Sequence, residues 1–170
     1  MLRQILKYGD RILHERARDI DDLTPEIDQL VQDMIETMYK APGVGLAAPQ
    51  VGVAKRIMVT DTTSGEKPDR LFTIVNPEIV STEGEQFEEE GCLSIPGFSA
   101  NVLRPKKVVL RGVDLDGKEM FLEGADLLAR AFCHEMDHLD GKFFLDHISF
   151  IKRDMIKRRI KKLIKQGKWE

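Results

Sequence analysis

Two histidines and a glutamate in the segment His134-Glu135-Met136-Asp137-His138 have the types and spacing of a hydrolytic metal site. On an α-helix, residues four apart lie on one face about one turn from each other, so both imidazoles can reach the same metal ion. Glu135 can take a proton from a metal-bound water, which is the chemistry that cleaves unreactive amide bonds. Short motifs also match by chance, and the alternative is an amphipathic helix whose histidines are partly buried and hydrogen-bonded.

A catalytic site of this kind needs a third protein ligand and one position open to water. None of the candidates downstream repeats a spacing known from HExxH zinc proteases; these candidates are Asp146, His147 and Asp154. Cys133 directly precedes His134, so its side chain points about 100° away on a helix and is not expected to share the ion. Cys92, in the segment Glu90–Ser94 between turn-forming residues, completes a Cys-His-His set with His134 and His138. The alternative for Cys92 is a buried, inert thiol.

The glycine-containing segment Gly43–Gln50 is the second candidate for chemistry. Gly43 and Gly45 allow the backbone to approach a substrate closely and to adopt angles closed to other residues, so an extended peptide can pair there like an added strand. The segment lacks the spacing of phosphate-binding and dinucleotide-binding loops. The Gln50 amide is a neutral donor for the oxyanion that forms when water attacks a carbonyl carbon. The alternatives are an ordinary tight turn and a solvated glutamine.

The elements around these residues predict an α+β fold: mixed, mainly antiparallel strands around a central HExxH helix, with an N-terminal and a C-terminal helix. The central helix is predicted over Ala125–Asp140, which contains good helix formers and ends before Gly141. A first helix is predicted from Thr24, as its cap, and Pro25. Asp116-Gly117 predicts a hairpin. Strands are predicted over Arg56–Thr60, Leu71–Val75, Lys107–Val113 and Glu119–Leu122.

The composition indicates a globular enzyme-sized domain rather than a membrane or secreted protein. The chain has 170 residues, of which 42% are hydrophobic and 32% charged. No apolar run approaches the roughly 20 residues that span a bilayer, and no secretory apolar region follows the start. Two cysteines without paired spacing favour a reducing compartment, so we expect a cytoplasmic protein.

The C-terminal segment is strongly basic. Residues 152–170 carry nine cations and two acids, a net +7, while the whole chain carries −3 and the remainder therefore −10. We expect one catalytic domain at 1–150 and a basic helix at 151–170 that packs on it or extends from it. This helix either binds a polyanionic partner or is a solvated helix that docks through an apolar stripe. The expected stripe consists of Ile151, Met155, Ile160, Leu163 and Ile164.

Three segments in order resemble the peptide deformylase family, whose patterns are GxGLAAxQ, EGCLS and HExDH. They stand here as Gly43–Gln50, Glu90–Ser94 and His134–His138, and the resemblance spans nearly the whole chain. It implies removal of the formyl group from the N-terminal formyl-methionine of new bacterial and organellar polypeptides. Many members have Gln where this chain has Cys133. That residue is not a ligand in the family, so the departure affects local packing and oxidation sensitivity.

The resemblance also implies a role for each matching residue. Glu135 is the general base and then the general acid, and Gln50 and the Leu93 backbone N–H stabilise the oxyanion. The metal ligands are Cys92, His134 and His138. The substrate-binding residues are Gly43, Val44, Gly45 and Gly91, with Val44 shaping the methionine pocket.

The resemblance implies one divalent metal ion as the cofactor. Fe²⁺ is the expected ion, and Zn²⁺, Ni²⁺ and Co²⁺ are the alternatives. The expected partners are N-formyl-methionyl nascent chains and, through the basic helix, ribosomal RNA; no membrane and no DNA partner are expected. Two alternatives remain at this point. One is an HExxH zinc endopeptidase, and the other is a non-enzymatic, metal-stabilised ribosome-binding protein.

Overall fold

The computed structural model describes residues 1–170. It contains three α-helices, seven strands and four short 3₁₀ turns, and it confirms the α+β class. The helices are α1 (Pro25–Lys40), α2 (Leu127–Leu139) and α3 (Phe150–Lys165). The strands are β1 (Gly45–Ala47), β2 (Ile57–Thr60), β3 (Phe72–Glu83), β4 (Gln86–Cys92), β5 (Ile95–Arg104), β6 (Lys107–Val113) and β7 (Glu119–Ala125). None of the helices is both long enough and apolar enough to span a membrane.

A five-stranded antiparallel sheet in the order β1-β2-β3-β6-β7 forms one wall of the molecule. The hairpin predicted at Asp116-Gly117 joins β6 and β7, and Gly117 has the positive φ of +81° that such a turn favours. Strand β3 is much longer than predicted. After Val75 the register shifts, and the segment from Glu78 onward pairs only with β6 and is exposed, so no buried alternation marked it in the sequence.

The second sheet is a two-stranded hairpin of β4 and β5 that sequence patterns did not reveal. Four of the seven residues of β4 are exposed and only Glu90 is buried, which hides the strand from a search for apolar alternation. Glu90 pairs with Ala100, and the hairpin closes where Cys92 pairs with Ile95. The Cys92 segment, expected between turns, is therefore a strand end followed by a tight turn. No ladder hydrogen bonds join this hairpin to the larger sheet.

Helix α1 begins at Pro25 with Thr24 at its cap position, as predicted, although the Thr24 side chain makes no capping hydrogen bond. Its buried stripe packs against strands β1 and β2. The core formed there includes Leu30, Val31, Met34, Met38, Leu46, Ile57 and Val59.

Helix α2 packs against strands β1, β2 and β7 and is almost completely buried. Phe132 and Leu139 pack into the core with Ile74 of β3 and Leu110 of β6. The helix is shorter than predicted at its start, because Ala125 ends β7 and the next residue has a φ of +56°. Gly141 follows the helix with a φ of +74°, as the sequence predicted.

Helix α3 packs on the rest of the chain through a face that was only partly predicted. Ile156 and Ile160 are buried in a cluster with Leu13 and Phe144. The predicted stripe was wrong at Ile151, which is 79% exposed; Met155 and Ile164 are also exposed, and Leu163 is intermediate. The docked face is therefore centred on 156 and 160, and several apolar side chains at the start of α3 face outward.

We predict that Ile160→Ala lowers the free energy of unfolding by about 2–5 kcal/mol, because it leaves a cavity in a packed cluster. Ile151→Ala is the matched control on the same helix and should change it by less than about 0.5 kcal/mol. Urea unfolding of both variants measures this difference. Equal effects of the two substitutions would contradict the observed docking face.

Candidate metal centre

Three donor atoms from two separate elements converge beside helix α2. His134 Nε2 and His138 Nε2 are 3.1 Å apart, and Cys92 Sγ is 3.2 Å from His138 Nε2. The three ligand atoms all lie within 4.8 Å of one another. The four-residue spacing on α2 aligns the imidazoles, and the end of β4 brings the thiol to them.

The convergence of these atoms fits a single metal ion. Two imidazole nitrogens and a sulfur that face one another at such distances require a shared proton or a cation between them. Burial lowers the pKa of His134, but Cys92 and Glu90 on either side of its ring raise it well above the usual value. Burial and the adjacent His134 hold the pKa of His138 well below normal, so His138 is neutral, the form that binds metals. A thiolate with two imidazoles suits zinc, iron, cobalt or nickel.

The ring of His134 is fixed from behind by the carboxylate of Glu90. His134 Nδ1 donates to Glu90 Oε2 at 2.8 Å, which leaves Nε2 directed at the donor cluster. Arg104 donates to both oxygens of Glu90, at 3.0 and 2.6 Å, and Arg130 donates at 2.9 Å. Burial raises the pKa of Glu90, but the hydrogen bonds from His134 and Arg104 outweigh it and hold the pKa far below its usual range.

The same network ties the hairpin to α2 at a second point. Arg104 also donates to Asp137 Oδ2 at 2.7 Å, and His147 Nε2 lies 2.8 Å from that oxygen. Asp137 therefore joins the network through its side chain instead of facing solvent. Sequence reasoning missed Arg104 and Arg130, because a single arginine in a strand or helix usually indicates a solvated surface.

Glu135 is buried beside the donor cluster, and its Oε2 has no hydrogen-bond partner in the protein. Burial raises the pKa of Glu135 to about 7, with His134 opposing the shift and the carboxylates of Glu90 and Asp137 adding to it. A carboxylate with a free oxygen and a pKa near neutrality can both accept and return a proton.

The two glycines of the first motif provide space for the side chains of the centre. A Cβ on Gly45 would lie 2.6 Å from Glu135 Oε1, and one on Gly43 would lie 2.7 Å from Leu93 Cδ1. Neither glycine has a positive φ, so the expectation that they adopt angles closed to other residues was wrong. A Cβ on Gly91 would make only ordinary contacts, the nearest at 3.6 Å.

Gln50 is buried and bridges the first and second motifs. Its Oε1 accepts from the Ala47 backbone N–H at 3.0 Å, and its Nε2 donates to Ser94 Oγ at 3.1 Å. The same Nε2 lies 3.9 Å from Cys92 Sγ. The alternative of a solvated loop glutamine is wrong, because Gln50 is only 1% exposed.

A cavity of about 460 Å³ opens beside the donor cluster. Its wall contains Val44, Gly45, Gly91, Leu93 and Glu135 together with Cys92 and His134. Leu127, Arg130 and Ala131 of α2 and Phe98 of β5 also line it, and sequence reasoning assigned none of these four to the site. The only signal for Leu127 and Ala131 was the apolar periodicity of α2, and Phe98 had none.

The remaining candidates for ligands stay outside the cluster. Cys133 is buried in the core with Phe132 and Leu139, and burial raises the pKa of its thiol to about 11. The carboxylates and imidazole of Asp146, His147 and Asp154 do not join the donor group either.

Comparison with known proteins gives a consistent result. The family model for polypeptide deformylase matches residues 2–154. A peptide deformylase of Acidobacterium capsulatum is 47% identical over 169 residues, covering 99% of both chains. One of Thermodesulfovibrio yellowstonii is 47% identical and covers 93% of this chain and 96% of its own. The crystal structure of a peptide deformylase from Legionella pneumophila superposes with a TM-score of 0.91 at 41% identity, covering 100% of this chain and 99% of that one. The chain therefore belongs to the polypeptide deformylase family.

Proposed function

We propose that this protein removes the formyl group from the N-terminal formyl-methionine of nascent polypeptides, with Cys92, His134 and His138 holding one divalent metal ion. The observation that carries the proposal is the convergence of these three donors next to a buried Glu135 on the wall of a cavity. The family membership supports the reaction, and the geometry supports the roles proposed for these residues in it.

The family is metal-dependent, and the donor set fits such an ion. We propose Fe²⁺ as the physiological ion, with Zn²⁺, Ni²⁺ and Co²⁺ as substitutes, since thiolate and imidazole ligands accommodate all four. When bound, such an ion supplies Lewis acidity, which makes water easier to deprotonate and a carbonyl easier to attack.

Glu135 is the acid–base residue of the proposed reaction. Its free Oε2 takes a proton from the attacking water and then delivers it to the leaving amine of methionine. The raised pKa favours both transfers near neutral pH. Gly45 keeps the backbone of β1 in contact with this carboxylate, so the base and the peptide-binding edge lie side by side.

Gln50 and the backbone N–H of Leu93 stabilise the negative oxygen that forms on the formyl carbon. Gln50 Nε2 is held near Cys92 Sγ by its bonds to Ala47 and Ser94, so the donor is fixed before substrate arrives. Leu93 lies in the tight turn that directly follows Cys92.

The substrate backbone lies between the two strands that flank the cavity. Strand β1 is the edge of the large sheet, and β4 has one free edge because it pairs only with β5. Gly43 and Gly45 on one side and Gly91 on the other offer backbone groups to an extended peptide. Val44, which is 38% exposed, helps to shape the part of the cavity that takes the methionine side chain.

One assay separates this function from its two rivals. Protein purified without oxygen is first analysed for metal. It is then tested on formyl-Met-Ala-Ser and on a longer peptide that carries no formyl group. We expect formate release only. Cleavage of internal peptide bonds would instead indicate an endopeptidase, and metal-dependent stability without any turnover would indicate a non-enzymatic ribosome-binding protein.

We further propose that the enzyme works in the cytoplasm and that α3 docks on ribosomal RNA near emerging chains. The net charge of +7 on residues 152–170 favours a polyanion. Phe150 and Ile151 are 70% and 79% exposed at the start of this helix and add apolar contact area. Both features lie outside the buried positions Ile156 and Ile160.

We predict that Glu135→Gln retains the metal but lowers kcat by about 10²–10⁴-fold, since an amide cannot accept the water proton. Formate release is measured with the metal content determined on the same sample. Turnover close to wild type in a fully metal-loaded variant would contradict the role of Glu135.

We predict that Cys92→Ser loses metal during dialysis, whereas Cys133→Ser keeps it. The thiol of Cys92 points at the histidines, while that of Cys133 is packed in the core. Metal analysis after dialysis distinguishes the two. The reverse result would mean that the ligand assignment is wrong.

We predict that reversing the charge of Lys161 and Lys165 weakens co-sedimentation with ribosomes and leaves turnover of a short formylated peptide unchanged. Both lysines are exposed, so the substitutions avoid the buried face that a truncation would remove. Binding should also fall steeply with salt, because each neutralised phosphate releases counterions. Lys67→Glu with Lys118→Glu makes the same change in net charge elsewhere and should bind as wild type. Equal binding by both double variants across the salt series would leave α3 as a structural helix.

A further inference from the structure

The rim of the cavity carries one free carboxylate, that of Glu89 on strand β4. Glu89 is exposed and lines the cavity. Ser99 on the paired strand donates to its Oε1 at 3.1 Å, which orients the carboxylate without neutralising it. No lysine or arginine lies within ion-pair distance of it.

The other charges of the wall are already balanced. Glu90 is paired with Arg104 and with Arg130, the only arginine or lysine among the lining residues. His134 and Glu135 belong to the metal centre. A charged group entering over the rim therefore meets mainly the field of Glu89.

The position of Glu89 on β4 places it near the substrate residues that follow the methionine. Glu89 and Gly91 are two residues apart on β4, so they share a face and are separated by about 6.6 Å along the strand. A peptide that contacts Gly91 and continues along β4 presents one of its next few side chains to Glu89. In the proposed binding mode the cavity takes the formyl group and the first side chain, so that later residues pass over the rim.

We propose that Glu89 is a specificity-determining residue that favours lysine or arginine shortly after the formyl-methionine. This proposal rests on the deformylase function proposed above. The chain also contains a rival cation near the rim: the Arg159 guanidinium lies 5.5 Å from the ring of Phe98, which lines the cavity. Arg159 is not itself part of the wall, so Glu89 should dominate.

Amidated peptides with formyl-methionine at the first position test the proposal. Lys, Gln or Glu is placed in turn at the second, third and fourth positions, and kcat/KM is measured for each. At low salt the wild type should favour Lys over Glu by roughly two- to fivefold at one position at least, through KM, as expected for an exposed ion pair. Higher salt should reduce this ratio.

Substitution identifies the residue responsible. Glu89→Gln should bring the ratio of Lys to Glu peptides close to one, and Glu89→Lys should invert it. Glu88→Gln is the matched control, because it removes the same charge from a neighbouring exposed position outside the cavity wall. It should retain the wild-type ratio.

Three results would overturn the proposal: no difference between Lys and Glu peptides in the wild type, an unchanged ratio in Glu89→Gln, or a preference for Glu, which would indicate Arg159. Turnover of the neutral Gln peptides in these experiments would show that the deformylase function stands even then. Absence of turnover on every formylated peptide would overturn both proposals.

Discussion

The geometry of the candidate metal centre depends on the ion pairs and hydrogen bonds of the Glu90 carboxylate. The hairpin that carries Cys92 shares no ladder hydrogen bonds with the large sheet, and the histidines lie on α2. Glu90 joins the two, since it extends from β4 and binds Arg130 and His134 on the helix. Breaking a buried ion pair of this kind typically costs about 3–5 kcal/mol, because the remaining charge stays buried. The relative position of the thiol and the imidazoles therefore depends on this carboxylate, together with the pair of Arg104 and Asp137.

This arrangement explains why the three motifs are not independent. Arg104 extends from β5 and donates hydrogen bonds to Glu90 and to Asp137 of the HExxH segment. Gln50 extends from the first motif to Ser94 beside Cys92. Each motif is thus held by a side chain from another one. A change in any of these contacts would move a donor of the metal centre even where it leaves the secondary structure intact.

The sequence predicted those parts of the fold that have a strong local pattern. The HExxH helix, the first helix and the β6–β7 hairpin were recognisable because their apolar spacing and turn residues are local. Strand β4 and the far half of β3 were missed because they are mostly exposed, and β5 was missed because only Ile95, Val102 and Arg104 of its ten residues are buried. The apolar stripe predicted for α3 was partly wrong. Apolar residues are scattered around this helix, so the pattern does not specify which face packs against the rest of the chain.

The structure brings the three predicted donor residues together, but the sequence did not specify their geometry. Spacing placed His134 and His138 on one face, yet nothing local could place Cys92 beside them, since 42 positions of chain separate the thiol from the first histidine. The sequence also could not show why position 45 requires glycine. The reason is that the side chain of Glu135, 90 positions further along the chain, occupies the space that a Cβ on residue 45 would need. Long-range contacts of this kind follow from topology and not from propensity.

The distribution of unsatisfied polar atoms supports a functional origin for this geometry. Four buried side-chain nitrogen or oxygen atoms lack a hydrogen-bond partner, and three of them belong to Glu135, His138 and Arg130. Each such atom costs roughly 1–3 kcal/mol, so selection for stability alone would disperse or remove them. Two of these residues, Glu135 and Arg130, line the cavity, and the free Glu135 Oε2 is the oxygen that the proposed proton transfers need, so stability is lowered where the chemistry requires it.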